Sequence, residues 1–181
     1  MAIKKQFTLL FSILLLSSSL SAQIIGLGGS ATLMQSAGAV DGVSQRLTPF
    51  LFGKLPKVGS VRLEWSPSAL ERSSQTLDEA VKINRYGVHL GLNGGLLFGE
   101  SYLLLSWNRV SVYDDGFSGD VDWNEWGLGY GVIWPLNRNI ALFLEAEHIW
   151  SGDEHEPSPV EDISVDRRGW QMQLGFVAFL Y

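Results

Sequence analysis

Residues 126–136 have the sequence WGLGYGVIWPL, in which almost every second side chain is large and apolar. The apolar positions are Trp126, Leu128, Tyr130, Val132, Trp134 and Leu136, and the positions between them include Gly127, Gly129 and Gly131. A period of two is that of a β-strand with two unlike faces. We therefore predict a strand with one apolar face and one face of small or polar residues.

Seven further segments show the same alternation, some more clearly than others. It is clear in 85–96, 140–150 and 170–180, and weaker in 24–34, 60–66 and 102–113. The segment 46–54 is ambiguous, because Leu47 and Leu51 compete with Phe50 and Phe52 for the apolar face. Most of the eight segments reach the roughly 9–11 residues that a tilted strand needs to cross a bilayer, and the others come close.

The connections between these segments alternate in length. Those at 36–45, 67–80, 114–120 and 152–165 are long and polar, whereas those at 55–59, 99–101 and 137–139 are short. Long loops outside and short turns in the periplasm are typical of outer-membrane barrels. The fold class predicted is all-β: an eight-stranded antiparallel transmembrane β-barrel with up-and-down meander order and both termini in the periplasm.

The first 22 residues differ from the rest of the chain. Lys4 and Lys5 precede an apolar run at 7–16, and small residues follow as far as Ala22. This order is that of a cleaved secretory signal peptide. We expect residues 1–22 to be removed on export to the outer membrane and residues 23–181 to form the barrel domain.

Charge and cysteine content exclude several other classes. The formal net charge is −6, which disfavours nucleic acid as a partner. The sequence contains no cysteine, so a disulfide framework and a thiolate metal site are both excluded.

Tryptophan is concentrated near the ends of the predicted strands. Such rings favour the membrane–water interface, because their apolar body can contact lipid while the N–H stays hydrated. We expect an aromatic band toward the long-loop ends, made by Trp65, Trp107, Trp123, Trp126, Trp150 and Trp170, and a second one near the short turns with Trp134, Phe98 and Tyr181. The alternative is that these rings form the core of a soluble sheet.

The hairpin 126–147 combines a glycine-alternating strand, an Asn-containing turn and an acid-bearing strand. In this order it resembles the penultimate hairpin of the OmpA/OmpX-like outer-membrane β-barrel family, which implies an eight-stranded barrel. The C-terminus, with Val177, Phe179 and Tyr181, is similar to the family's signal for the barrel-assembly machinery. The sequence departs from this signal in one respect, because the alternation in 170–180 places Tyr181 on the inward face. A bulge near Gly175, or an error in the parity assigned to this strand, would remove the discrepancy.

The inward face of the predicted barrel is polar. An eight-stranded barrel is filled by its own side chains, and buried charges must pair, because an isolated one costs several kcal/mol. We expect Arg62 and Arg85 to pair with glutamates and to plug the lumen. The inward positions are Arg62, Glu64, Arg85, His89, Asn93, Ser106, Asn108, Glu125, Glu145, Glu147, Gln171 and Gln173.

Two other kinds of chemistry remain open at this point. His89, Ser106 and the glutamates could activate a nucleophile for lipid A modification, and His148 with Ser151 is a second, poorly spaced candidate. The acidic loops at 114–122 and 153–162 could hold Ca²⁺ or bridge through divalent cations to lipopolysaccharide phosphates, or could simply be solvated.

The function expected from these features is non-enzymatic: an outer-membrane protein with a role in envelope structure and integrity or in surface interaction, with no cofactor. Its partners would be outer-membrane lipid and lipopolysaccharide. The alternatives are a lipid A-modifying acyl hydrolase or transferase and a narrow channel for small hydrophobic molecules. Fold does not decide among them.

Overall fold

The computed structural model describes residues 25–37, 44–55, 58–67, 71–73, 81–93, 100–114, 121–151 and 168–180. These residues form the strands β1 (Ile25–Gln35), β2 (Ser44–Leu55), β3 (Gly59–Ser66), β4 (Glu71–Ser73), β5 (Val81–Asn93), β6 (Glu100–Asp114), β7 (Val121–Pro135), β8 (Ile140–Ser151) and β9 (Arg168–Leu180). Across these described ranges, no helix has the length and apolar character needed to cross a membrane. Residues 1–22, assigned above to a signal peptide, and Tyr181 lie outside the described residues.

The strands form a closed antiparallel barrel. Successive strands pair along the sheet, and β1 pairs with both β2 and β9, which closes the circle. The short strand β4 pairs with β2 beyond the point where β3 stops. Strands β3 and β4 therefore occupy one strand position around the barrel, and we call each such position a stave. The described barrel therefore has eight staves in meander order, which confirms the predicted fold class.

The tight turn predicted at 137–139 is held by one side chain. Oδ1 of Asn137 accepts hydrogen bonds from the backbone N–H of Asn139 at 2.8 Å and of Ile140 at 2.9 Å. An Asn side chain that bonds the backbone a few residues ahead is a common way to fix a short turn. We call this end of the barrel the short-turn end and the opposite one the long-loop end.

The ambiguity in β2 is resolved by burial. Phe50 is buried, whereas Leu47 and Leu51 are exposed, so the even-numbered side chains of β2 face inward. The same parity places Arg46 and Thr48 inside the barrel, where both are buried.

The outer face of the barrel is apolar on every stave. Large exposed side chains include Leu27 on β1, Leu63 on β3, Leu105 on β6 and Phe176 on β9. The other exposed apolar side chains in the described strands include Leu51, Leu90, Leu128 and Leu142. Folded proteins in water rarely expose contiguous apolar patches of more than a few hundred Å².

The tryptophans divide between the two faces. Trp65, Trp126, Trp134, Trp150 and Trp170 are exposed on the outside, and Trp107 is partly exposed. Trp107, Trp126 and Trp150 are direct neighbours on adjacent strands, and the rings of Trp107 and Trp126 lie 6.5 Å apart. Trp123 is different: it is 5% exposed and lies inside the barrel, so its assignment to the interface band is wrong.

A β-bulge changes the parity of β1. Its register with β9 shifts between Thr32 and Met34, and Leu33 and Met34 are both exposed. Because the bulge adds one residue, Gln35 faces inward, where plain alternation would place it outside. Strand β9 keeps its predicted parity as far as Leu180, with an unbroken register to β8 through Gly175.

Glycines leave room for the large inward side chains, as the alternation in 126–136 predicts. A Cβ on Gly131 would overlap the ring of Tyr102, and one on Gly127 would overlap Ser106 and Glu147. The lumen near the short-turn end is apolar instead: Phe50, Ala141, Phe143 and Val177 form a buried cluster there.

Candidate functional site

The interior of the barrel is the candidate site, because most of the buried charges in the described part of the chain lie there. Three arginines and four glutamates are buried: Arg46, Arg62, Arg85, Glu64, Glu125, Glu145 and Glu147. All of these except Arg46 were predicted to face inward. Arg46 was missed because the parity of its strand could not be decided from Leu47, Leu51 and the phenylalanines.

Arg62 is the centre of the largest group of contacts. Its Nη1 and Nη2 donate to the two carboxylate oxygens of Glu145 at 3.0 and 2.6 Å, and its Nε lies 2.5 Å from Oε1 of Glu64. The hydroxyl of Tyr102 also donates to Glu145, at 2.5 Å. A two-pronged guanidinium–carboxylate pair of this kind is strong and fixes both side chains in orientation.

Two aromatic rings pack against the Arg62 guanidinium. Its Cζ lies 5.1 Å from the ring centroid of Phe50 and 4.7 Å from that of Phe143. The two rings contact each other edge to face at 5.7 Å. A cation over an aromatic face gains more when it is desolvated, which is the case here. Arg62 therefore links the apolar cluster at the short-turn end to the polar interior above it.

A second ion pair lies nearer the long-loop end. Nη1 of Arg85 is 2.6 Å from Oε1 of Glu125, and both side chains are almost completely buried. The indole N–H of Trp123 donates to the same oxygen at 3.0 Å. The inward position of Trp123 is thus explained by a polar partner for its N–H, which buried tryptophans usually have.

A third group joins five strands through neutral and charged partners. Ser106 donates to Oε2 of Glu147 at 2.6 Å, and Gln171 donates to its Oε1 at 2.9 Å. Arg46 in turn donates to Gln171 at 3.0 Å and to Gln35 at 2.8 Å. The position of Gln35 depends on the bulge in β1, so sequence alternation alone could not have placed it in this group.

The proposed nucleophile pair His89 and Ser106 is brought together, but each side chain contacts other partners. The two residues are directly opposite on β5 and β6. However, the hydroxyl of Ser106 donates to Glu147, while Nδ1 of His89 lies 2.9 Å from Nη2 of Arg62 and its Nε2 lies 3.3 Å from Glu64. An activated serine needs a base that accepts its proton, and the group that accepts from Ser106 is Glu147 rather than His89. Both side chains are buried and belong to the interior network of hydrogen bonds and ion pairs.

The second catalytic candidate, His148 with Ser151, is split between the two faces of β8. The imidazole of His148 lies on the outside, where its ring centroid is 6.3 Å from Trp150 and 5.2 Å from Trp170. Ser151 has the opposite parity and pairs with Glu125, an inward residue. Because successive side chains of a strand point to opposite faces, the two groups do not share a site.

Asn93 lies at the edge of a cavity rather than within the buried network. It is exposed at the short-turn end, where it lines a cavity of about 260 Å³. Arg62, Glu145 and Tyr102 line the inner end of the same cavity.

The acidic loops lie only partly within the described ranges. In those ranges, no group of three or more His, Cys, Asp or Glu side chains is arranged to hold a metal ion. Asp122 forms an ion pair with Arg109 at 2.9 Å. Residues 115–120 and 152–167, which carry most of the loop carboxylates, lie outside the described residues.

Comparison with known proteins gives matches in structure alone: no protein-family model and no curated protein sequence matches the chain. The barrel is similar to the crystal structure of Neisserial surface protein A, with a TM-score of 0.54, 13% identity, and coverage of 87% of this chain and 97% of that one. It is also similar to a major outer membrane protein from Thermus thermophilus, with a TM-score of 0.50, 13% identity, and coverage of 88% and 100%. The chain therefore has the fold of the small outer-membrane β-barrel proteins.

Proposed function

We propose that the protein is a non-enzymatic component of the outer membrane that acts in envelope structure and integrity or in surface interaction. The observation that carries this proposal is the combination of an apolar outer face with an interior cross-linked by ion pairs, above all the pair of Arg62 and Glu145. An eight-stranded barrel that is closed across its middle by such pairs can present its loops and its outer surface but has little room for a solute path.

Insertion into the outer membrane is supported by the exposed side chains. Apolar residues cover the outside of the staves, and the exposed Trp126, Trp150 and Trp170 lie toward one end. In a bilayer such residues contact acyl chains, and the tryptophans lie at the interface. Lipid and lipopolysaccharide are the partners of this surface. Export through the signal sequence at 1–22 and recognition of the C-terminal strand ending at Tyr181 by the barrel-assembly machinery complete the proposal.

Membrane insertion can be tested by quenching tryptophan fluorescence with lipids brominated on their acyl chains. We expect strong quenching in liposomes, and less quenching when the exposed Trp126 is replaced by Phe. The matched control is Trp123→Phe, because Trp123 lies inside and should contribute little to the quenched signal. Equal effects of the two substitutions, or a folded chain that stays in buffer without lipid or detergent, would contradict insertion.

The proposed orientation places the segment 152–165 outside the cell. It is acidic and contains Pro157 and Pro159, features that suit an exposed loop. An epitope tag inserted after Pro157 should be labelled on intact cells. Labelling that appears only after permeabilisation would reverse the orientation.

The narrow-channel alternative is addressed by conductance. Because Arg62 and Glu145 join across the lumen, we expect the reconstituted protein to give no stable conductance steps in a planar bilayer. Regular steps from the wild-type protein would favour the channel.

The enzyme alternative is addressed by mass spectrometry of lipid A from expressing cells. We expect the same lipid A masses with the wild-type chain, Ser106→Ala and an empty vector. A mass shift that the wild-type chain produces and Ser106→Ala abolishes would replace the proposed function with lipid A modification.

A further inference from the structure

The cavity at the short-turn end is a space inside the barrel that the described side chains leave unfilled. Its volume of about 260 Å³ is close to the lower end, ~300 Å³, of pockets that hold small molecules. Its inner end is closed by Arg62 and Glu145, and its outer end is bordered by Lys54, Glu100 and Arg138. The cavity is therefore a blind pocket that opens at the short-turn end.

The middle of the pocket is apolar. Phe52 and Phe179 line it and contact each other edge to face at 5.8 Å, and Phe143 lies beside them. Phe52, Ile133 and Phe179 are only partly buried, so part of their apolar surface faces the cavity. An apolar ligand body placed there would remove this surface from water, which is favourable.

Charge differs between the two ends of the pocket. At the inner end, the charges of the pocket-lining Arg62 and Glu145 balance each other. At the entrance the described cations are in excess. Among the described residues that border the entrance, Lys54 and Arg138 are cations and Glu100 is a carboxylate.

The pair of Lys54 and Glu100 at the entrance is loose. Nζ of Lys54 lies 3.5 Å from Oε2 of Glu100, and their side chains are 41% and 61% exposed. Exposed pairs of this kind contribute about 0–1 kcal/mol. Lys54 can therefore turn from Glu100 to a ligand anion at small cost.

We propose that this pocket binds a small amphipathic carboxylate. The apolar body lies against Phe52, Phe143 and Phe179, and the carboxylate remains at the entrance beside Lys54 and Arg138. An inverted ligand would bury its carboxylate beside Glu145, which already accepts hydrogen bonds from Arg62 and Tyr102. The inference goes beyond the proposed function and depends on the barrel rather than on its location in the cell.

The test is isothermal titration of the full folded barrel in detergent with three ligands that share one body: 3-phenylpropionate, its neutral amide and 3-phenylpropylamine. Titration into empty micelles supplies the blank. We expect saturable one-to-one binding of the carboxylate, about tenfold weaker binding of the amide, and still weaker binding of the amine. Absence of saturable heat with the carboxylate, or an amine that binds as tightly as the carboxylate, would overturn the proposal.

Two variants locate the binding in this pocket. Lys54→Gln should weaken carboxylate binding about five- to tenfold and leave amide binding nearly unchanged. Ile133→Trp should abolish both by filling the pocket. The control is Arg168→Gln, an exposed cation at the long-loop end of β9, which should bind like the wild type. If Ile133→Trp does not fold, Lys54→Gln decides alone: unchanged carboxylate binding in it would overturn the proposal. Neither outcome affects the fluorescence, conductance or lipid A results.

Discussion

Arg62 and Glu145 lie on opposite sides of the barrel and join across it. Arg62 is on β3 and Glu145 on β8, which are four staves apart in either direction around the described barrel. Their two hydrogen bonds, of 3.0 and 2.6 Å, therefore act as a brace through the middle of the lumen. Ladder hydrogen bonds connect only neighbouring strands, so this pair constrains the cross-section in a way that the sheet cannot.

Loss of this brace should destabilise the barrel. We expect Arg62→Ala to lower the free energy of unfolding by about 3–5 kcal/mol, because it leaves Glu64 and Glu145 buried without their guanidinium partner. Arg62→Lys should be intermediate, since an ammonium keeps the charge but cannot bind a carboxylate with two parallel bonds. The measurement is denaturant unfolding in detergent micelles.

The matched control for Arg62 is Arg109→Ala on the outside. The pair of Arg109 and Asp122 has side chains that are 39% and 42% exposed, so its loss should cost at most about 1 kcal/mol. Equal losses of stability for Arg62→Ala and Arg109→Ala would mean that the interior pair is not a brace.

The pair of Arg85 and Glu125 gives an independent prediction. Arg85→Ala should cost about 3–5 kcal/mol, because Glu125 is fully buried and would then rely on the N–H of Trp123. Glu125→Gln should cost less, since the amide oxygen can still accept hydrogen bonds. Unfolding curves of the two variants in the same detergent compare them directly. A larger loss for Glu125→Gln than for Arg85→Ala would contradict this account.

Two consecutive glycines in β1 should respond differently to the same substitution. A Cβ on Gly28 would overlap the backbone oxygen of Phe176 and the ring of Phe50, whereas the nearest atom to a Cβ on Gly29 is 3.8 Å away. We expect Gly28→Ala to destabilise the barrel by about 1–3 kcal/mol through overpacking and Gly29→Ala to have little effect. Refolding yield and unfolding midpoint measure both, and similar behaviour of the two would contradict the close packing at Gly28.

The turn between β7 and β8 should depend on Asn137 rather than on Asn139. Asn137→Ala removes two hydrogen bonds to backbone N–H groups and should cost about 1 kcal/mol or more. Asn137→Asp keeps both acceptors and should be milder. Asn139→Ala is the control, because it keeps the backbone oxygen that accepts from Phe179. If Asn139→Ala lowers the unfolding midpoint as much as Asn137→Ala does, the turn is stabilised by its backbone geometry alone and not by the Asn137 side chain.

The sequence predicted the barrel well because the apolar outer face leaves a strict period of two. In β7 the alternation of Trp126, Leu128 and Tyr130 with glycines is uninterrupted, and the structure keeps that parity throughout the strand. A bilayer accepts almost any apolar side chain on the outside, while the narrow interior accepts only what fits there. This difference is what makes the two faces distinguishable from composition alone.

Interior partners were less predictable, because they depend on features that alternation does not record. Gln35 is inside only because of the bulge after Thr32. Tyr102 reaches Glu145 because Gly131 leaves space beside its ring. The pairing of Arg62 with Glu145, rather than with another acid, follows from stave order and strand register together. The sequence pattern predicts whether a side chain faces the lumen or the outside, but it does not predict the position of that side chain along the barrel axis.

Closure of the barrel has a consequence for the order of events during biogenesis. Ile25, the first described residue, pairs with Leu180, the last one, and β1 lies between β2 and β9. Contacts between such distant parts of a chain form slowly, and before they form both terminal strands expose unpaired backbone edges. The sheet cannot be completed until the last strand has been synthesised. The barrel is thus kept open by its own topology for as long as the chain is being made.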